Sequence, residues 1–246
     1  MFDTSGIVQS GLGASNYVIL SATFTLQISF GDAVFFDGTY DPINTYGASG
    51  EPINGDDQGR PMELYGAGFR NGFTSATITE NLGFGVPGEG TRNIYATDFN
   101  LGSSINGPSR DVSNNIANAF DPIPFAIGQV APSDLTDGFV DEDADVVFTL
   151  NLANPDVLRY LQLSLNDGRV SFLATSLHQA SQGGEVTYPN FYTKENLLDG
   201  LPGRLDIQVQ VVPEPSPGIT ALLGFGVMVA FWRGGRTFRR GEGELS

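Results

Sequence analysis

The chain has 246 residues, of which 28 are acidic and 12 are basic, so its formal net charge at pH 7 is −16. Such a charge repels nucleic acid and anionic membrane surfaces, which excludes nucleic acid as a partner. The sequence contains no cysteine, which excludes a disulfide framework, a thiol nucleophile and a thiolate metal site.

The first residues lack the pattern of a secretory signal peptide. Met1–Ser15 is polar and rich in glycine, and it contains Asp3 but no lysine or arginine. A signal peptide has a basic start followed by an apolar segment. We therefore expect the true start to lie upstream, with the signal peptide missing from this reading frame. The alternative is a protein that is not exported and whose C-terminal tail has no function.

Alternating apolar and polar residues predict β-strands throughout residues 1–211. The first apolar stretch, Tyr17–Phe30, is predicted to be a strand, and the alternation is clearest over Ala22–Phe30, Val146–Leu152 and Leu205–Val211, where every second residue is apolar. Shorter candidate strands are Ala33–Tyr40, Glu63–Phe69, Ala76–Thr79, Asn93–Phe99 and Arg169–Leu177. The 32 glycines and 14 prolines separate these segments as turns separate the strands of a sandwich. We predict one all-β domain, an antiparallel β-sandwich, over residues 1–211.

One short helix is predicted between two of these strands. Asn154 is a favourable N-cap residue, and Pro155 suits the first helical position, where its missing N–H is not needed. Gly168 is a typical terminating residue. The apolar side chains between them recur at helical spacing, at Leu158, Leu161 and Leu165.

Two runs in this domain carry a family resemblance. The first is Phe2–Ser5 followed by Ile19–Leu26, and the second is Phe191–Asn196 followed by Pro202–Ile207. They resemble the "FDLS … I-x-SATL-x-L" and "F-x-S-R-E … P-x-L-x-V" runs of DNRLRE-type carbohydrate-binding sandwiches. The resemblance implies a jelly-roll-like sandwich whose first strand or two lie upstream of Met1. It concerns framework strands, and residues 31–145 depart from the pattern.

An acidic segment is the candidate metal site. Asp141, Asp143 and Asp145 alternate along a predicted extended loop, so their carboxylates would lie on one side, and such oxygen ligands suit Ca²⁺. The segment is not an EF-hand, because Val146 stands where that loop requires glycine. A solvated turn and a structural calcium site are the two interpretations.

No catalytic residue is predicted. His178 is the single histidine, and the nucleophile motif G-x-S-x-G does not occur. A glycosidase would need only two carboxylates, which a chain this acidic cannot fail to contain. Among the aromatic residues near turns, Tyr188, Phe191 and Tyr192 form the cluster that we favour as sugar contacts, with a place at the edge of the core as the alternative.

The last part of the chain has three pieces in a fixed order. Val212, Pro213, Glu214 and Pro215 begin a stiff extended spacer that reaches residue 216. Residues 217–232 carry no charge and predict a short transmembrane helix that ends at Trp232. Residues 233–246 form a basic tail, placed in the cytoplasm by the positive-inside rule. Its arginines are Arg233, Arg236, Arg239 and Arg240.

This order of pieces resembles the PEP-CTERM sorting signal of Gram-negative bacteria. The resemblance implies an exosortase, a membrane-embedded cysteine protease-transpeptidase, as a partner that cuts near the Pro-Glu-Pro motif. It implies export to the inner membrane and then to the outer surface or matrix of an exopolysaccharide-producing bacterium, with exopolysaccharide as a further candidate partner. We expect a non-enzymatic structural or matrix protein without a cofactor, apart from a possible structural calcium ion. The alternatives are a carbohydrate-binding module and a secreted glycan-active enzyme.

Overall fold

The computed structural model describes residues 1–45, 59–79, 90–177, 189–193 and 200–212. These residues form mainly antiparallel β-structure with one α-helix, which confirms the predicted all-β class. The strands are β1 (Phe2–Asp3), β2 (Tyr17–Gln27), β3 (Phe36–Asp37), β4 (Arg60–Pro61), β5 (Glu63–Phe69), β6 (Ile94–Thr97), β7 (Ala126–Ile127), β8 (Leu135–Thr136), β9 (Phe139–Val140), β10 (Asp145–Thr149), β11 (Arg169–Val170), β12 (Phe172–Thr175) and β13 (Arg204–Val211), and helix α1 spans Pro155–Asp167.

The three most strongly alternating segments form one antiparallel sheet in the order β10-β2-β13. Phe24 of the central strand lies opposite Phe148 on one side and Leu205 on the other. Strand β2 begins at Tyr17, as predicted, and its buried side shifts by one residue between Ile19 and Ala22, where its pairing with β13 has an irregularity at Gln208/Val209. It ends at Gln27, beyond which Ile28 makes an isolated bridge to Phe191.

A second sheet has the order β12-β5-β6, with β7 pairing the start of β5. Every residue of β5 is buried, because the strand is covered on both faces. Leu64 belongs to the main core, whereas Tyr65 packs on the other face in a cluster with Val112 and Phe120. The chain between β6 and β7 therefore covers the outer face of this sheet.

Aromatic rings join the two sheets in the main core. Phe24 of the first sheet lies 5.6 Å from Phe172 of the second, measured between ring centroids, and 6.1 Å from Phe148. Phe125 and Tyr160 extend the ring cluster, with their centroids 5.0 Å apart. This buried surface supplies the main hydrophobic stabilisation of the unit Met1–Val211.

Helix α1 has the ends that its sequence predicts. The Asn154 side chain accepts a hydrogen bond from the Asp156 N–H, and Pro155 occupies the first turn. Gly168 ends the helix in the left-handed conformation, with φ of 83°. The helix carries Tyr160 to the second sheet, where its hydroxyl receives a 2.9 Å hydrogen bond from the Ala67 N–H and donates one to the Ser171 carbonyl.

Several strand predictions are wrong in extent or in kind. Ala76–Thr79 is part of a turn, because the carbonyl of Thr74 accepts hydrogen bonds from the N–H groups of Thr77 and Ile78. Only Phe36–Asp37 of Ala33–Tyr40 is a strand, and Ser171 interrupts the strand predicted over Arg169–Leu177. No helix in the described ranges has the length and apolar character needed to cross a membrane. Residues 213–246 lie outside those ranges.

Candidate functional site

The acidic segment proposed for calcium is not extended. It forms a turn between β9 and β10, in which Asp143 has φ of 65° and the Ala144 N–H bonds to the Asp141 carbonyl. Ala144 is buried beneath the turn, and Asp145 is already the first residue of β10. In the described part of the chain, no three acidic or histidine side chains are grouped so that they could hold a metal ion. The expectation of three carboxylates alternating along an extended loop is therefore wrong.

Two of the three predicted sugar contacts lie beside the end of β2. Phe191 makes a bridge to Ile28 and packs against the main core. The N–H of Tyr192 donates to the carbonyl of Gln27, and its ring lies directly over Gly200. These contacts give both residues a structural role at the sheet end. Tyr188, His178 and the sorting residues after Val212 lie outside the described ranges.

A buried carboxyl on the outer face of β5 is the most unusual titratable group that the structure places. Glu63 is 2% exposed, and its Oε2 accepts a 2.9 Å hydrogen bond from the Leu177 N–H. Burial is the main reason that the pKa of Glu63 is raised to about 7. The negative charge of Asp41 adds to this increase, and the hydrogen bond from Leu177 opposes it.

Tyr65 lies two residues along the same face. Its hydroxyl is buried and has no partner with ordinary hydrogen-bond geometry among the described residues, although it is near enough to Glu63 to favour the charged carboxylate. Burial, and next the charge of Glu63, raise the pKa of Tyr65. Glu63 and Tyr65 therefore form a pair of buried acids in which, at neutral pH, the tyrosine is protonated and the carboxyl is close to its pKa of about 7.

An ion pair with a buried carboxylate borders these two acids. Asp98 is 2% exposed and receives hydrogen bonds from Arg110, one of them 3.1 Å from Nε and another from Nη2. The hydrogen bond to Asp98 is the main cause that raises the pKa of Arg110. The guanidinium also lies over the Phe120 ring, with Cζ 4.7 Å from the ring centroid. This pair fixes the segment that covers β5.

Glu63, Tyr65 and the Asp98–Arg110 pair form a cluster of ionisable groups that has a structural role. General acid catalysis requires a carboxyl within hydrogen-bond reach of a substrate, and glycoside hydrolysis requires a second carboxyl at a set separation. Glu63 is almost fully enclosed and its one identified hydrogen-bond donor is the protein backbone. The cluster therefore affects folding and its pH dependence more directly than it offers a site for substrate.

The exposed face of the three-stranded sheet carries polar side chains and the aliphatic side chains of Val18 and Leu20, but no aromatic ring. All the aromatic residues of β2, β10 and β13 are buried, namely Tyr17, Phe24 and Phe148. The exposed residues of β13 are Arg204, Asp206, Gln208 and Gln210. An aromatic platform on this sheet face, which a carbohydrate-binding module could use, is therefore not present in these strands.

Exposed aromatic rings occur instead at a hairpin that the sequence analysis did not predict. Strands β8 and β9 are joined by Asp137 and Gly138, with φ of 52° and 87°, the positive values of a type I′ turn. Phe139 of this hairpin makes an antiparallel bridge to Phe35, and their rings meet edge to face with centroids 5.2 Å apart. Each side chain is 36% exposed. We call these two residues the aromatic pair.

No family model matches the chain, and the searches of curated proteins and of solved structures find no match either.

Proposed function

We propose that this chain is an exported, surface-sorted and non-enzymatic β-sandwich protein of an exopolysaccharide-producing Gram-negative bacterium. An exosortase would process it at its C-terminal tail, after which it would serve as a structural or matrix-associated component. The observation that carries the proposal is the order of Val212-Pro213-Glu214-Pro215, the uncharged residues 217–232 and the arginines that follow.

The composition of residues 217–240 supports insertion of the tail in a membrane. The uncharged segment is short for a bilayer, but Trp232 would lie at the headgroup level and the arginines beyond it would extend to the interface. We place residues 217–232 in the inner membrane before processing and residues 233–246 in the cytoplasm. A jelly-roll-like arrangement of the two sheets is the topology that we propose for residues 1–211.

The acidity of the domain fits this location. Residues 1–212 contain eight basic and 25 acidic side chains, a formal net charge of −17. Like charges on a protein surface keep molecules apart and in solution, which suits a component of a hydrated polysaccharide matrix. A secreted glycan-active enzyme is less well supported, because among the described residues the carboxyl with a suitably raised pKa, Glu63, is enclosed.

Membrane fractionation tests the proposal. The full chain, expressed with its upstream coding region in the source bacterium, should leave the inner membrane after processing. Replacing Pro213, Glu214 and Pro215 with alanine should keep the full-length protein there. A matched control replaces Pro202 and Pro217, which flank the motif, with alanine and should be processed normally. Equal fractionation of the motif variant and the wild-type protein would contradict the proposal.

A further inference from the structure

We infer that the aromatic pair, Phe35 and Phe139, is a contact site for an uncharged polysaccharide chain. This inference deepens the proposed function, because it rests on the matrix association proposed above for the natural source of the glycan. The binding itself is a property of the described surface and can be measured without any sorting step.

The two rings face outward because their neighbours face inward. Val34 and Val140 are 5% and 1% exposed, and each directly adjoins a member of the pair. Since side chains alternate across an extended strand, burying these valines turns Phe35 and Phe139 to solvent. The antiparallel bridge then brings the two rings together on one side of the surface.

The backbone holds the rings in place. Hydrogen bonds of 2.8 Å from the Phe36 N–H to the Gly138 carbonyl and of 3.0 Å from the Val140 N–H to the Val34 carbonyl join the two segments. The Phe35 ring lies on the Gly138 backbone so closely that an added Cβ would be 2.5 Å from its Cε2. A ring fixed in this way loses little conformational entropy when a ligand covers it.

The charges around the aromatic pair select among possible ligands. Asp32, Asp137 and Glu142 are exposed within the two segments that carry the pair, and residues 28–37 and 132–147 contain no lysine or arginine. The neighbouring strand β4 adds one basic residue, Arg60, opposite Phe36, so acidic residues still outnumber basic ones around the pair. Carboxylates accept hydrogen bonds from sugar hydroxyls, while a ring covers the apolar C–H face of a pyranose. The same carboxylates repel uronic acids, anionic lipid and a second copy of this acidic chain. An uncharged glycan is the ligand that fits both features.

A purely structural role for the aromatic pair predicts different results. Cross-strand aromatic pairs stabilise antiparallel pairing whether or not a ligand is present. If that were the whole role, substitutions would lower the stability of the hairpin without changing any interaction with glycans. Measurement of both properties on the same variants separates the two roles.

Affinity electrophoresis of the full-length protein in a nonionic detergent is the test. The gels contain dextran, mixed-linkage β-glucan or galactomannan as uncharged probes, and alginate as the anionic one. At least one uncharged glycan should retard the wild-type protein, and alginate should not. Phe35→Ala and Phe139→Ala should each weaken the apparent affinity about tenfold. Phe139→Tyr, which retains the ring, and Leu20→Ala, which removes exposed apolar surface on β2, should keep it.

Three results would overturn the inference. These are no retardation of the wild-type protein by any uncharged probe, equal retardation by alginate, and unchanged retardation of the alanine variants. Size-exclusion chromatography adds a fourth, because an alanine variant that changes only the oligomeric state would assign the pair to a contact between copies. Urea unfolding of the same variants shows whether the alanine variants remain folded under the conditions of the gels, and a folded alanine variant that is no longer retarded has lost binding and not structure. The electrophoresis does not involve the tail, so it can fail while sorting succeeds, or the reverse.

Discussion

The buried carboxyl of Glu63 accepts a hydrogen bond from the backbone N–H of Leu177, 114 positions further along the chain. One side chain of β5 therefore holds the chain just beyond the end of β12. The strands already pair at this point, with Glu63 opposite Thr175. The contact fixes the end of the second sheet through a group that titrates near neutral pH.

Stability should consequently decrease as the pH rises from about 4.5 to about 7. In this interval the folded protein retains a proton on Glu63 that the unfolded chain has lost, because the folded pKa is about 7 and the usual value is 4.5. A group with a raised folded pKa stabilises the fold fully at low pH, and this contribution is lost as the pH passes the folded pKa. The loss should be roughly 2–4 kcal/mol in the free energy of unfolding.

Urea unfolding at several pH values measures this effect, with Glu63→Gln as the matched variant. Glutamine retains an oxygen that can accept the bond from Leu177 but cannot ionise. The wild-type protein should become less stable than the variant by pH 8, and the difference between them should vary with pH. A difference that stays constant from pH 4.5 to pH 8 would show that Glu63 does not titrate in this range.

Removal of the Tyr160 hydroxyl should destabilise the junction between helix α1 and the second sheet. That hydroxyl bonds to Ala67 and Ser171, and the residue is fully buried. Tyr160→Phe removes the hydrogen bonds between the hydroxyl and these backbone groups and should cost about 1–3 kcal/mol in the free energy of unfolding. Tyr40→Phe, which removes the hydroxyl of a 37% exposed tyrosine from the Pro122 carbonyl, is the control and should cost less. Equal costs in urea titrations would count against the proposed role of the Tyr160 bonds.

The Asp98–Arg110 pair should be far more sensitive to truncation than the exposed Arg204–Asp206 pair. The Asp98 side chain is almost fully buried, so Arg110→Ala leaves a buried charge and should cost about 3 kcal/mol. Both members of the other pair are mostly exposed, so Arg204→Ala should change stability by less than about 1 kcal/mol. Adding Asp98→Asn to Arg110→Ala should restore part of the loss. Thermal unfolding of the four proteins checks this order, and similar effects of the two arginine variants would disprove it.

A methyl group added at Gly66 should be poorly tolerated. Its Cβ would lie 2.7 Å from Cε2 of Tyr160 and 2.9 Å from Cζ of Phe125, both in the ring cluster of the core. Moving packed rings costs about 1–3 kcal/mol, so Gly66→Ala should lower the midpoint of urea unfolding. Gly6→Ala has no atom within 4 Å of the new Cβ and should leave the midpoint nearly unchanged. A tolerated Gly66→Ala would mean that the rings can rearrange at little cost.

The sequence predicts the helix and strands of this fold that have one solvent-exposed face and one buried face. Strands β2, β10 and β13 alternate for that reason, and helix α1 is marked at both ends by Asn154, Pro155 and Gly168. At Ala76–Thr79 the sequence predicts a strand because threonine and isoleucine favour strands, but hydrogen bonds to the Thr74 carbonyl make this segment a turn.

The candidate sites depend on contacts that local patterns do not contain. Glu63 looks like an ordinary polar residue at the start of a strand, and its burial results from packing by chain segments far away in sequence. The hairpin that carries Phe139 has strands of only two residues, too short to show a period. Its Asp137-Gly138 dipeptide was the available signal. Its pairing with Phe35 becomes apparent only in the folded chain.

Surface sorting would be visible in the mass of the mature protein. Intact-mass spectrometry would compare the protein from cells that contain the exosortase with the protein from cells that lack it. If the chain is surface-sorted, the mature chain ends near Pro213–Pro215 in the first cells and retains residues 217–246 in the second. The same full-length C-terminus in both would contradict it.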